Sequence, residues 1–184
     1  MTTIDKAYFE EYSQRLTEHL LKACTTAELL GGTLLNSVDI DAKWDEMAPE
    51  YFGDAVKEFN AYPEFVLAAA GFLGMGVAHM WDKDWATASV QGYEFYHDDR
   101  GFDYMDEFIV PCILEADETA AKRVNDAMKL CSATALSYLR HEAVEPGSIS
   151  SYKLVLATIA VMFRIGEALE LYRLGYKFER VNLS

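Results

Sequence analysis

Imidazole and carboxylate side chains are concentrated between residues 79 and 107, a stretch that holds two of the four histidines of the chain. His79 and Asp82 are three residues apart and would share one face of a helix. His97 and Asp98 follow in the next polar segment. Imidazole nitrogens and carboxylate oxygens are ligands for divalent transition metals. One hypothesis is therefore a divalent metal ion held by His79, Asp82, His97 and Asp98, in a metal-dependent hydrolase that acts on phosphoesters.

Known helical metal sites match these residues only in part. A di-iron bundle needs two Glu-x-x-His motifs on facing helices, whereas this chain has one, from Glu94 to His97. The dipeptide His97–Asp98 resembles the His-Asp pair of HD-type phosphohydrolases, and the resemblance covers two or three residues.

Two glutamates near the C-terminus have a spacing that also suits a metal. Glu167 and Glu170 follow the Glu-x-x-Glu pattern that helical nucleotide pyrophosphohydrolases use for magnesium. No suitable acidic motif follows them. The sequence therefore predicts that they lie on the solvent-facing side of the last helix, paired with Arg164 and Arg173.

Aromatic rings lie among the same carboxylates and give a second hypothesis. Rings beside acids suit a basic peptide or a small cationic ligand, through cation–π contacts and charge pairing. The consecutive aromatic residues of the sequence YEFY, 93–96, must point in several directions, so about half of the rings are expected in the core. We interpret the chain first as a protein-interaction or ligand-binding module with a surface around residues 81–107. The predicted contact residues are Trp81, Trp85, Tyr93, Tyr96, Asp99 and Arg100.

The composition weighs against several other functions. The formal net charge of −14 would repel nucleic acid and anionic membranes. The chain has no G-x-S-x-G nucleophile motif and no G-x-x-x-x-G-K phosphate loop. Mimicry of a nucleic acid backbone needs carboxylates spaced along an exposed helix, whereas the acids here are clustered and interrupted by apolar residues.

The element that must position this region is the apolar stretch that begins at Pro63. Its uncharged part, residues 65–78, is shorter than the roughly 20 residues of a membrane-spanning helix. Small residues recur there every four positions and line one helical face: Ala70, Gly74 and Ala78. We predict a buried helix over 63–82 whose small-residue face packs within the same chain; packing against a second copy in a homo-oligomer is the alternative.

Apolar residues at helical spacing predict further helices over residues 4–30, 49–59, 117–142 and 151–175. Residues 33–49 show no regular period, and Asp39 or Asp41 is expected to cap a helix there. Pro111 predicts a kink or a break near Val110. The sequence thus predicts an all-α, single-domain antiparallel bundle of about five to seven helices over residues 1–184, with helices 63–82 and 151–175 buried at its centre.

The three cysteines, Cys24, Cys112 and Cys131, are far apart and lack zinc-ligand spacing. They are expected to be reduced core residues of a cytoplasmic protein. The N-terminal residues lack a basic start followed by an apolar run, so no secretory signal is predicted.

Overall fold

The structure, a computed structural model, describes residues 3–177, with side-chain contacts from residue 6 onward. Within this range the chain forms six α-helices and no strand, which confirms the predicted all-α bundle. The remaining residues of the predicted domain, 1–2 and 178–184, lie outside the described range. The helices are α1 Thr3–Thr26, α2 Val38–Phe59, α3 Pro63–Ala88, α4 Met105–Phe108, α5 Glu118–Arg140 and α6 Ile149–Arg173.

Helices α3 and α6 form the centre of the bundle and pack backbone against backbone. A Cβ atom at Gly74 would overlap the carbonyl oxygen of Phe163, and one at Gly166 would overlap the carbonyl oxygen of Gly71. Only glycine permits this approach, because no side-chain atom separates the two helices there. The prediction that the small-residue face of α3 packs within the chain is confirmed.

Helix α3 is the one described helix that is long and apolar enough to cross a membrane. Its most apolar window has a mean hydropathy of 1.3, and 67% of that window is buried inside the fold.

The remaining long helices surround this central pair. On α1, the Tyr12 hydroxyl lies 2.7 Å from Thr158 Oγ1 of α6. Also on α1, Cys24 Sγ lies 3.4 Å from Cys131 Sγ of α5, and both cysteines are buried and reduced. Cys112 is exposed, so its predicted place in the core was wrong. On α2, the Trp44 ring stacks on Phe163 of α6 with 4.7 Å between centroids. The buried apolar side chains form one continuous core.

Helix α2 begins eleven residues earlier than the sequence prediction, at Val38 rather than Pro49. Its buried positions recur at helical spacing through the region predicted to be irregular: Ile40, Trp44, Met47, Tyr51 and Ala55. Pro49 is exposed within the helix, where its missing N–H costs one hydrogen bond on the solvent side. Ser37 caps the helix by accepting a hydrogen bond from the Asp39 amide at 3.3 Å, so the predicted caps Asp39 and Asp41 were wrong.

The connecting segment, residues 89–117, joins α3 to α5 through short irregular turns. Before it, α3 kinks at Asp84, whose φ of −164° and ψ of 81° are not helical. The Asp84 carboxylate accepts bonds from the Thr87 amide and hydroxyl, at 3.2 and 2.7 Å, and so caps the last turn of α3. Within the segment, α4 continues into a π-helical turn, Ile109–Ile113, which contains Pro111. The predicted break near Val110 is therefore present.

Candidate functional site

The predicted contact residues of the 81–107 surface separate into two groups in the structure. Asp99 and Arg100 are exposed, and Trp81 and Trp85 are half-buried. By contrast, Tyr93 and Tyr96 are 2% and 0% exposed, respectively. The sequence analysis predicted that both tyrosines lie on the surface, and this prediction was wrong. Their aromatic side chains fill space beneath the connecting segment and are therefore not accessible to a partner.

The two buried tyrosines anchor the connecting segment to the bundle. The Tyr93 hydroxyl donates to Asp54 Oδ2 at 3.0 Å, and its ring meets Tyr51 edge-on with 6.0 Å between centroids. The Tyr96 ring packs over Gly76 of α3, where an added Cβ would approach it to 3.2 Å. Together these contacts fix the segment on α2 and α3.

A buried lysine, which the sequence reasoning missed, holds the start of the connecting segment. Lys43 of α2 is 3% exposed. Its Nζ donates to the carbonyl oxygens of Ser89 and Gln91, at 2.7 and 3.0 Å, and to Glu46 Oε2 at 3.0 Å. The available signal was its position among the apolar residues of the α2 stripe.

The outer side of the segment carries a surface that we name the acidic face. Arg100 pairs with Asp98 at 3.0 Å and with Glu107 at 3.2 Å, and its guanidinium lies 5.1 Å from the centre of the exposed Tyr104 ring. Three further exposed carboxylates form no ion pair with any residue from 6 to 177. The acidic face comprises Glu94, Asp98, Asp99, Asp103, Tyr104 and Glu107.

The four predicted metal ligands have separate partners. His79 Nδ1 lies 2.8 Å from Glu170 Oε2, and Asp82 Oδ1 accepts from the Tyr176 hydroxyl at 2.6 Å. His97 Nδ1 lies 3.3 Å from the Asp98 carbonyl oxygen. Across the described part of the chain, no three His, Cys, Asp or Glu side chains are grouped to hold a metal ion.

Glu170 is buried, contrary to its predicted place on the solvent-facing side of the last helix. It is 0% exposed. Arg173 donates to it from Nε at 2.6 Å and from Nη2 at 2.7 Å, so the predicted pairing with this arginine is present. His79 donates from the other side, and three charge-assisted bonds therefore compensate the carboxylate for the loss of water.

Glu167 is also 0% exposed, so the prediction for this residue was wrong as well. Its Oε1 accepts from the Ser37 amide at 2.8 Å, and its other oxygen has no bonded donor. The facing Asp41 Oδ1 lacks a donor too. Burial, together with a hydrogen bond to Asp41, raises the pKa of Glu167 to about 9. We therefore assign a proton to Glu167, which lets Oε2 donate to Asp41 Oδ1.

These groups form a buried carboxyl network where the start of α2 meets the ends of α3 and α6: Asp41, His79, Glu167, Glu170 and Arg173. Arg173 and His79 compensate the charge of Glu170, and Glu167 retains its proton. Asp41 is half-buried, and its Oδ2 accepts from the Asn36 side chain at 2.9 Å, so the network links three helices.

The described chain thus presents the acidic face outside and the buried carboxyl network inside. Comparison with protein-family models, with curated proteins and with solved structures gave no match to this chain.

Proposed function

We propose that this chain is a binding protein that recognises a basic polypeptide through the acidic face. The proposal rests on one observation: no basic residue of the described chain neutralises three carboxylates of the acidic face. The basic residue beside the face, Arg100, already pairs with Asp98 and Glu107. Glu94, Asp99 and Asp103 have no ion pair with any residue that the structure describes, and lysine or arginine side chains of a partner would complement them.

The anchoring of the connecting segment supports the proposal. The connecting segment is long and contains only short helical turns and α4. Long ordered connections are uncommon in compact domains and usually serve a function. This one is held from beneath by Lys43, Tyr93 and Tyr96. A surface fixed before binding loses little conformational entropy when the partner arrives, which favours affinity.

The exposed ring and the charge of the whole protein add to the same preference. Tyr104 is 45% exposed within the acidic face and already contacts one guanidinium, from Arg100. A second cation from a partner would meet the same ring by a cation–π contact. The net charge of −14 increases the rate at which basic partners encounter the protein, and salt screens this steering.

The test uses a fluorescent Lys- and Arg-rich peptide titrated with the full chain at physiological ionic strength. The face variant combines Glu94→Gln, Asp99→Asn and Asp103→Asn, which removes the three unpaired carboxylates and leaves the Arg100 pairs intact. We expect its affinity to fall by at least about tenfold, equal to about 1.4 kcal/mol.

A matched control removes the same amount of charge elsewhere. Glu18→Gln, Asp45→Asn and Glu50→Gln alter three exposed carboxylates of α1 and α2. This variant should bind within about twofold of the wild type, because the three charges are screened by solvent and none of them belongs to the acidic face. An equal loss in both variants would show general charge attraction and reject the acidic face as the site.

The metal-dependent hydrolase stays a sequence prediction without geometric support among the described residues. Native mass spectrometry of untagged protein purified without chelator tests it, because a bound ion adds its mass to the folded species. If metal is bound, replacing His79 and His97 with alanine should remove it.

A further inference from the structure

A second surface feature differs from the acidic face in both charge and polarity. A pocket of about 310 Å³ lies between the end of α1 and helices α3, α5 and α6. Most of its lining is apolar and includes Met75, Val124 and Leu169. This volume is at the lower end of the range for small-molecule sites, so it suits one short chain or one ring system.

Two arginines line this pocket, Arg123 and Arg173. Arg173 donates from Nε and Nη2 to the buried Glu170, and this leaves Nη1 without a hydrogen-bond acceptor among the described residues. Glu170 is in turn held by His79. The guanidinium is therefore fixed in place with one nitrogen free for a further acceptor.

Arg123 is exposed and forms no ion pair with the described residues. One acid, Glu28, also lines the pocket, so the lining holds two arginines and one glutamate. Glu170 lies behind Arg173 and compensates its charge, which leaves Arg123 as the cation of the lining without an ion pair among the described residues. The surrounding protein has a net charge of −14. Among five pockets formed by the described residues, the other four have linings that are neutral or net negative when histidine is counted as neutral.

We propose that this pocket binds a small anionic amphiphile, with its apolar tail against Met75, Val124 and Leu169 and its carboxylate between Arg123 and Arg173. Burial of the tail supplies most of the free energy of binding, since apolar area removed from water is the main favourable contribution. The carboxylate supplies orientation and selectivity, because arginine nitrogens pair with it in a fixed geometry.

The experiment titrates the full chain with decanoate, and isothermal titration calorimetry measures the binding. The decanoate concentration stays below that at which it forms micelles. Decylamine, which has a similar tail and the opposite charge, is the comparison ligand. We expect saturable binding of decanoate with one molecule per chain. Decylamine, whose cation can bind the acidic face instead, should not displace decanoate. Displacement of decanoate by an equal concentration of decylamine would overturn the proposal, because it would reduce the pocket to a general apolar surface.

Three substitutions test the assigned residues. Arg123→Gln should weaken decanoate binding by about tenfold, and Ala127→Phe should abolish it by filling the pocket. Glu28→Gln should strengthen binding by a few fold, because it removes the one opposing charge of the lining. Neither Arg123 nor Glu28 forms an ion pair with the residues that the structure describes, so both of these variants are expected to fold.

The matched control is Arg140→Gln, which removes the same charge from the same helix outside this pocket. It should leave the affinity for decanoate unchanged. Urea unfolding of each variant separates loss of binding from loss of fold. If Arg123→Gln and Arg140→Gln weaken binding equally in folded protein, the anion does not lie in this pocket.

Discussion

Replacement of Glu167 with glutamine tests the assignment of a proton inside the buried carboxyl network. Glutamine has nearly the same shape and cannot ionise. Its Oε1 would still accept from the Ser37 amide, and its side-chain amide Nε2–H would donate to Asp41 in place of the carboxyl proton of Glu167. The variant should therefore keep the hydrogen bonds of the native structure while losing its titration.

The size of the effect follows from the pKa of Glu167, which is raised from 4.5 to about 9. Between these values the folded state binds one proton more than the unfolded state, so this group makes stability fall as pH rises. The slope is about 1.4 kcal/mol per pH unit, or about 2.7 kcal/mol from pH 5.5 to pH 7.5. Glu167→Gln removes this contribution. The free energy of unfolding of the variant minus that of the wild type should therefore rise by about 2.7 kcal/mol from pH 5.5 to pH 7.5.

Urea denaturation followed by circular dichroism, at half-unit steps from pH 5.5 to pH 8, measures the effect. The difference between variant and wild type isolates Glu167, because the other titrating groups are common to both. Asn125→Gln, at an exposed position of α5, changes no titratable group and serves as the control, so its difference from the wild type should not change with pH. Parallel curves for Glu167→Gln and the wild type would refute the assigned proton and show that Glu167 is ionised in the folded protein.

Three further predictions concern helix packing, cysteine oxidation and the hydrogen bonds of the buried lysine. Gly166→Ala should destabilise the fold by about 3 kcal/mol in urea denaturation, because the new Cβ overlaps a carbonyl oxygen of α3; Gly53→Ala, where nothing lies within 4 Å, should instead stabilise it by up to about 1 kcal/mol. Diamide should oxidise Cys24 and Cys131 to a disulfide and accept the two thiol hydrogens, so the intact mass of the protein should fall by the mass of two hydrogen atoms. The same fall in mass for Cys131→Ser would contradict this pairing. Lys43→Met should lower stability by about 2 kcal/mol, since it leaves buried carbonyl oxygens without a donor; an unchanged urea midpoint would show that water replaces the lysine.

The central helices were predictable because their apolar composition is compatible only with a buried position. Most of α3, and the first half of α6, are apolar on nearly every side, and such helices must lie in the interior of a folded domain. The small-residue face of α3 likewise indicated a close helix neighbour. These predictions depend on local sequence alone, and the structure confirms them.

The buried glutamates were not predictable from local sequence. Periodicity assigns a charged residue to solvent, because burial of an unpaired carboxylate is costly. Glu167 and Glu170 avoid that cost through partners that are distant in the chain. The Ser37 amide is 130 residues from Glu167, and His79 is 91 residues from Glu170. No local pattern reports such contacts.

The start of α2 was missed for a related reason. Pro49 and the scattered acids suggested an irregular region, and they outweighed the apolar stripe that begins at Ile40. The stripe prevailed because its side chains pack on α3 and α6, and tertiary packing overrides weak local preferences. The same packing covers the acids of α6.

The contact between α3 and α6 also has a consequence for how the protein is made. Synthesis proceeds from the N-terminus, so α3 leaves the ribosome while α6, its main cover, is still untranslated. During that interval a helix apolar enough to span a membrane lacks its partner, and the strip around Gly71 and Gly74 faces water or another chain. Nascent chains in this condition are prone to association and depend on chaperones. Helix α6 thus contributes to the stability of the finished bundle, and the time until its synthesis sets how long α3 stays uncovered.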